Sequence, residues 1–498
     1  KADASQPGPQ LRLANIRIRE GKNADAAALL DRAETNFKTL GNAEGQGEVA
    51  LARSRIAASV PEAIRLAEEA ERRAREAASD WLLVRAMLRR SDRIELAGDP
   101  AAARAITLEA VALAERAGLA GQAVNGIIDL GYGPFTQGKY EAAEKDFQQA
   151  LQLAVRYRAQ RAEARARLTL AQWHMQQGRF SQAIPFLDQA LSYYRATGDV
   201  VQIAQSLRYR GDLLEKSGKF DEAREMFKES LAASPAPNDQ LLARQRLAYL
   251  ALQQTRYEEA VARFGEVVES FEQSGNRLNK QFYLIERARA YTMLGDFKAA
   301  AADLDRVRTE KPATEKVQWQ YDLTLSGLDF QQLRFDASLA RLEAMRAKAA
   351  KAGAKSEVLS VNYQLCSKYA EAGKFAPAAA TCEPLKKEFA NRPAQLIPVY
   401  YAMAEVYMSR KQWDKAVADA RQAVRWSEET HDLRNTWYTT LILTQALHGA
   451  RNPEWKPARA KAAEVLAEIT RQGGEAAAKS YLARPMVARR KNAIEALQ

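Results

Sequence analysis

The chain has 498 residues, 47% hydrophobic and 27% charged, and carries a formal net charge of +12. That length exceeds what one hydrophobic core usually serves, so several domains or a repeat array are expected, and the apolar content excludes a disordered chain. The basic balance allows acidic protein, nucleic acid or an anionic surface as partner, no apolar run approaches the ~18 residues of a membrane span, and two cysteines make neither a disulfide framework nor a metal box.

Residues 1–9, KADASQPGP, are polar and without Met, which reads as an expression fragment or a processed N-terminus. They are expected to be disordered. From residue 10 a short turn recurs: QGKYEAA, QGRFSQA, SGKFDEA, LGDFKAA and AGKFAPA are its clearest copies. Its anchors fall in order at Gly21, Ala58, Gly98, Gly138, Gly178, Gly218, Thr255, Gly295, Leu333, Gly373, Lys411 and Pro453. Two residues after the anchor comes a large ring, in Tyr140, Phe180, Phe220, Tyr257, Phe297, Phe335, Phe375, Trp413 and Trp455. Five after it comes a small residue, such as Ala103, Ala143, Ala183 or Ser338, and seven before it another, such as Ser91, Gly131, Ala171 or Cys366. Small residues let two backbones approach, and the ring closes the open end of the hairpin. Each half-unit has apolar residues at three- and four-residue spacing, so each predicts an amphipathic helix.

These columns resemble the tetratricopeptide repeat over nearly the whole chain. The best copy is Ile127, Leu130, Gly131, Gly138, Tyr140, Ala143, Phe147 and Ala150, and Pro235 and Pro312 match the family's closing proline. The resemblance implies an all-α, right-handed superhelical solenoid of about twelve helix pairs over residues 10–472, with residues 473–498 as polar capping helices. The period is longer than the family's ~34 residues. The surplus follows each second helix, in ATGD (196–199), EQSGN (272–276) and KAGAKSE (351–357). The unit at Ala58 is the most degenerate, with Val60 in place of the ring. AASPAPNDQ (232–240) is the nearest thing to a linker, but the register runs through it, so it reads as an inter-repeat loop.

The motifs that could carry chemistry weaken on inspection. GPFTQGKY (133–140) departs from the phosphate-binding loop by placing Tyr140 where a hydroxyl for magnesium belongs, and it lies between helices instead of after a strand. Pro134 removes a backbone donor and predicts an early end to its helix. VRYRAQRAEARAR (155–167) carries five arginines against one glutamate and reads as a solvated helix face. His174, His431 and His448 lie in separate repeats or junctions, with no zinc-binding spacing. Cys366 and Cys382 stand on the two helices of one unit, close in space, and are expected to be free buried thiols; a bond would instead point to an oxidising compartment. No cofactor, metal or catalysis is expected.

In the family the first helix of each pair lines a concave groove. Its outward columns, six, nine and ten residues before each anchor, hold Arg208, Tyr209 and Asp212, then Gln245, Arg246 and Tyr249, then Ile285, Glu286 and Arg289. Tyr132, Asp129, Thr169, Gln172, Thr324, Tyr363 and Tyr401 extend the set. Tyrosine and arginine are enriched at interface hot spots. The Lys/Asn pair of the family's carboxylate clamp is missing from every first helix. The expected partner-binding residues are Arg208, Tyr209, Arg246, Tyr249, Arg289, Tyr132 and Tyr363, facing an acidic peptide or protein segment. The resulting expectation is a non-catalytic scaffold, resembling the repeat arms of bacterial signalling and effector proteins, with a cytoplasmic location favoured over a periplasmic one. The other class considered is a basic nucleic-acid-binding superhelix.

Overall fold

A computed structural model describes residues 6–19 and 21–497. These residues form twenty-five α-helices and no strand. The first five pairs are α1 (Pro7–Arg19) with α2 (Asn23–Thr39), α3 (Ala43–Arg53) with α4 (Val60–Glu76), α5 (Asp80–Leu96) with α6 (Pro100–Arg116), α7 (Ala120–Thr136) with α8 (Tyr140–Arg156), and α9 (Gln160–Gln176) with α10 (Phe180–Thr197). Next come α11 (Val200–Lys216) with α12 (Phe220–Ala233), α13 (Pro237–Gln253) with α14 (Tyr257–Gln273), and α15 (Arg277–Leu294) with α16 (Phe297–Thr309). The remaining pairs are α17 (Glu315–Gln331) with α18 (Phe335–Lys351), α19 (Lys355–Glu371) with α20 (Phe375–Glu388), α21 (Pro393–Ser409) with α22 (Trp413–Glu429), and α23 (Leu433–Gly449) with α24 (Trp455–Ala483). α25 (Pro485–Glu495) follows alone.

Each pair turns where the sequence repeats. Gly138 ends the α7 turn at φ +74°, a conformation that costs glycine nothing. Leu333 takes the same conformation at +63° without that freedom, so the hairpin geometry overrides local preference there. The small columns are buried: Ala143, Ala183 and Ala300 five after the anchor, and Ala171, Ala288 and Ala404 seven before, are each 0% exposed. A Cβ on Gly131 would come within 2.4 Å of the Phe147 ring, so that helix pair closes to a distance only glycine permits. The rings sit half-buried at the hairpin mouths, apart from exposed Tyr140 and buried Tyr257.

α7 continues two residues past Pro134, to Thr136. The proline lies in the last turn, where the bond its missing N–H would make is a single loss. The cysteine expectation is overturned: Cys366 and Cys382 form a disulfide between α19 and α20, with Cα atoms 5.0 Å apart. The reason lies in the columns. Seven before and nine after the anchor face each other across the pair, as Ser91 and Thr107 do through a 2.6 Å hydrogen bond. Two cysteines set there stand within bonding reach.

By contact density the chain divides into two compact units, Lys1–Leu213 with Glu229–Gln240, and Leu214–Lys228 with Leu241–Gln498. In the first, helices stack pair upon pair. In the second the array returns on itself: a Cβ on Gly218, before α12, would lie 3.1 Å from His431, before α23. Within this unit α25 does not stay at the end of the stack. Met486 is buried, and Val487 and Ile494 join the core that α19, α21 and α23 share.

Candidate functional site

In the first unit, α7, α9 and α11 are successive first helices and stand side by side. They line an open recess of about 620 Å³. Tyr132 and Tyr209 both reach it. The Tyr132 hydroxyl donates to Gln172 Oε1 at 3.2 Å, and the Gln205 amide donates to the Tyr209 hydroxyl at 3.2 Å. Tyr132 also leans edge-on against Phe147 at 5.5 Å, and burial raises its hydroxyl pKa, keeping it a neutral donor. The rest of the lining includes Asn125, Arg161, Arg165, Thr169 and Gln202. Arg165 bonds Asn125 and pairs with Asp129 at 3.4 Å, and Arg161 pairs with Asp199 at 3.3 Å.

Several of these residues were not among the expected groove columns. Asn125, Arg165 and Gln205 each stand thirteen residues before their glycines, Gly138, Gly178 and Gly218. On a helix that position continues the face through the ninth residue by one turn. The signal was present in the repeat, and the arginine run 155–167 gains a specific meaning: two of its members line the recess.

The expected strip Arg208, Tyr209, Arg246, Tyr249 and Arg289 divides between the units. Arg208 is 8% exposed and pairs with Asp239 at 3.4 Å, so its charge is used inside the first unit. In the second unit Arg246 is exposed. Arg289 pairs with the buried Glu286 on its own helix at 2.8 Å. Tyr249 packs edge-on against Phe264 at 5.2 Å, and Tyr363 against Phe389 at 5.6 Å. Burial pushes the Tyr363 hydroxyl up to about 12.

The second unit also encloses charge. Arg490 of α25 lies 3.5 Å from the centre of the Tyr438 ring and pairs with Glu371. Glu405 accepts the Tyr438 hydroxyl at 3.3 Å. Burial first, then the neighbouring Glu371, pushes Glu405 up to about 8, against the pull of Arg490. Burial pulls the Lys368 ammonium down to about 8. Glu405 therefore holds its proton more tightly folded than unfolded, and its stabilising effect fades as pH rises from about 4.5 to 8. Lys368 acts in the opposite direction above that, since the unfolded chain keeps its proton longer. The melting temperature is expected to drop by about 2 °C between pH 6 and 8, as ~1 kcal/mol moves a large domain, and Glu405→Gln should flatten the slope. A slope unchanged in that variant would remove Glu405 from this role.

Tetratricopeptide-repeat family models match residues 130–196, 162–236, 214–279 and 397–430. The chain carries tetratricopeptide repeats. The matched stretches include α8 through α14 and α22, and the buried columns repeat the same pattern in the pairs outside them. Three solved structures are similar to parts of the chain. One is a signal transduction ATPase with a tetratricopeptide repeat sensor from Pyrococcus horikoshii, 14% identical, covering 72% of this chain and 55% of its own, TM-score 0.49. The quorum sensor NprR from B. thuringiensis, in its apo form, is 14% identical and covers 75% and 96%, TM-score 0.41. A tetratricopeptide repeat protein from Parabacteroides merdae is 17% identical and covers 55% and 97%, TM-score 0.38. The chain thus spans about half the length of the first of these. No curated protein matches it.

Proposed function

We propose that this repeat array is a protein-binding scaffold whose first unit takes an extended peptide segment across α7, α9 and α11. The carrying observation is the ladder of like positions on three successive helices: Asn125, Arg165 and Gln205 in one column, Tyr132 and Gln172 in another. Amide side chains both donate and accept, which suits a peptide backbone. The arginines favour an acidic side chain in the segment, by bidentate pairing that can replace their present partners. The two tyrosines offer flat apolar faces with polar tips. Tyr132 and Tyr209 therefore stay in the proposed site, while Arg208, Tyr249, Arg289 and Tyr363 are engaged in internal contacts. Among the described residues no helix is long and apolar enough to cross a membrane. The Cys366–Cys382 bond supports an oxidising compartment over the cytoplasm.

Panning a peptide-display library against the whole chain is expected to return segments carrying Asp or Glu. Their affinity should drop at least tenfold in Arg165→Glu and in Tyr209→Ala, about 1.4 kcal/mol or more, with melting unchanged. Peptides indifferent to both substitutions would place the site elsewhere. Steeply salt-dependent capture of generic RNA would favour the nucleic-acid reading instead.

A further inference from the structure

In the second unit the chain's own C-terminal segment packs across α14, α15, α18, α19 and α23, and it makes the contacts of a bound ligand. Tyr481 stacks on Tyr257 at 6.4 Å and meets Trp437 edge-on at 6.5 Å. One turn on, Arg484 lies over the Tyr481 ring at 4.4 Å and donates to the Met293 carbonyl, 191 positions away in sequence. Room for it is made by Gly295, where a Cβ would come within 3.1 Å of the Arg484 side chain and 3.3 Å of the Ser480 carbonyl. Val487 is fully buried. Arg489 lies over the Phe335 ring at 4.9 Å and donates to the Glu371 carbonyl at 3.0 Å, while Arg490 pairs with the Glu371 carboxylate.

We propose that this face is a receptor site for a basic helical segment with an aromatic anchor, and that residues 481–494 hold it in cis until a partner segment of the same chemistry displaces them. Two observations favour exchange over permanent packing. The wall opposite the arginines is acidic and aromatic, so recognition rests on charge and cation–π contacts that any helix with this spacing could make. Finally, the sequence places Gly473 and Gly474 within α24, upstream of the segment, and glycine is the poorest helix former after proline.

The test titrates a fluorescent peptide of residues 478–497 into the whole chain, wild type and Arg484→Ala/Arg490→Ala. The occupied wild type is expected to bind it weakly, and the variant, its own segment loosened, at least tenfold more tightly. A peptide with its arginines changed to Glu should lose that binding. Equal binding by the two chains overturns the proposal. Should the double variant lose helicity, hydrogen exchange of the wild type decides. Amides of α25 exchanging ahead of those in α19, α21 and α23 sustain the proposal, and joint exchange of all four overturns it.

Discussion

Replacing Phe147 with alanine is expected to cost about 3–5 kcal/mol, the usual penalty for emptying a fully buried aromatic site. The ring is 1% exposed on α8 and fills the space that Gly131 leaves on α7. Tyr132 and Phe135 meet it edge-on at 5.5 and 6.2 Å, so both lose their support with it. Glycine cannot grow to fill the hole, and the two backbones are already in close approach. The void should therefore persist, which is the condition for the upper part of the range. In a repeat array each unit touches chiefly its neighbours, and damage of this size should melt the surrounding pairs before the whole chain. Hydrogen exchange should show protection lost over α5–α10 while α19–α23 keep theirs. Peptide binding at the recess should go with it, because Tyr132 is held in place by this ring. Loss of protection spread evenly from α1 to α25 would show that the array does not behave one-dimensionally.

That locality has an exception, and the exception shows where sequence reading stops. The anchors and small columns were legible because a dozen copies report the same physics: Ala143, Ala183 and Ala300 each testify to a close helix contact. The recess was half legible. Tyr132, Gln172 and Tyr209 follow from the columns nearest the turn, but Arg165 and Gln205 lie one helical turn further back on the same face. Their types, an arginine in a basic run and a glutamine, carry no signal of their own. The docking of residues 481–494 was not legible at all. VARRKNAIEAL is too polar to announce burial, and Met293 and Glu371, the partners of Arg484 and Arg490, stand 191 and 119 residues from them. No periodic pattern encodes a contact that occurs once. Those contacts tie distant pairs of the second unit together, so substitutions there should spread further than in the first.

The second large effect belongs to the disulfide. Unreduced, denatured protein is expected to show no free thiol, and reduction should reveal two. The bond closes a loop across the α19–α20 hairpin with a sequence separation of 16, which by loop entropy stabilises by about 3 kcal/mol. The Cys366→Ala/Cys382→Ala chain should therefore melt at a lower temperature, with the loss concentrated in α17–α22. Both sulfurs are fully buried, so a reductant reaches them only through opening of the pair; reduction should be slow in buffer and fast in mild denaturant. The consequence extends to the groove. Glu371, which holds Arg489 through its carbonyl and Arg490 through its carboxylate, ends the same helix that carries Cys366. Loosening α19 from α20 weakens that wall, so the reduced chain should protect α25 less against exchange than the oxidised chain does. Two free thiols in the unreduced protein would remove both effects and, with them, the argument for an oxidising compartment.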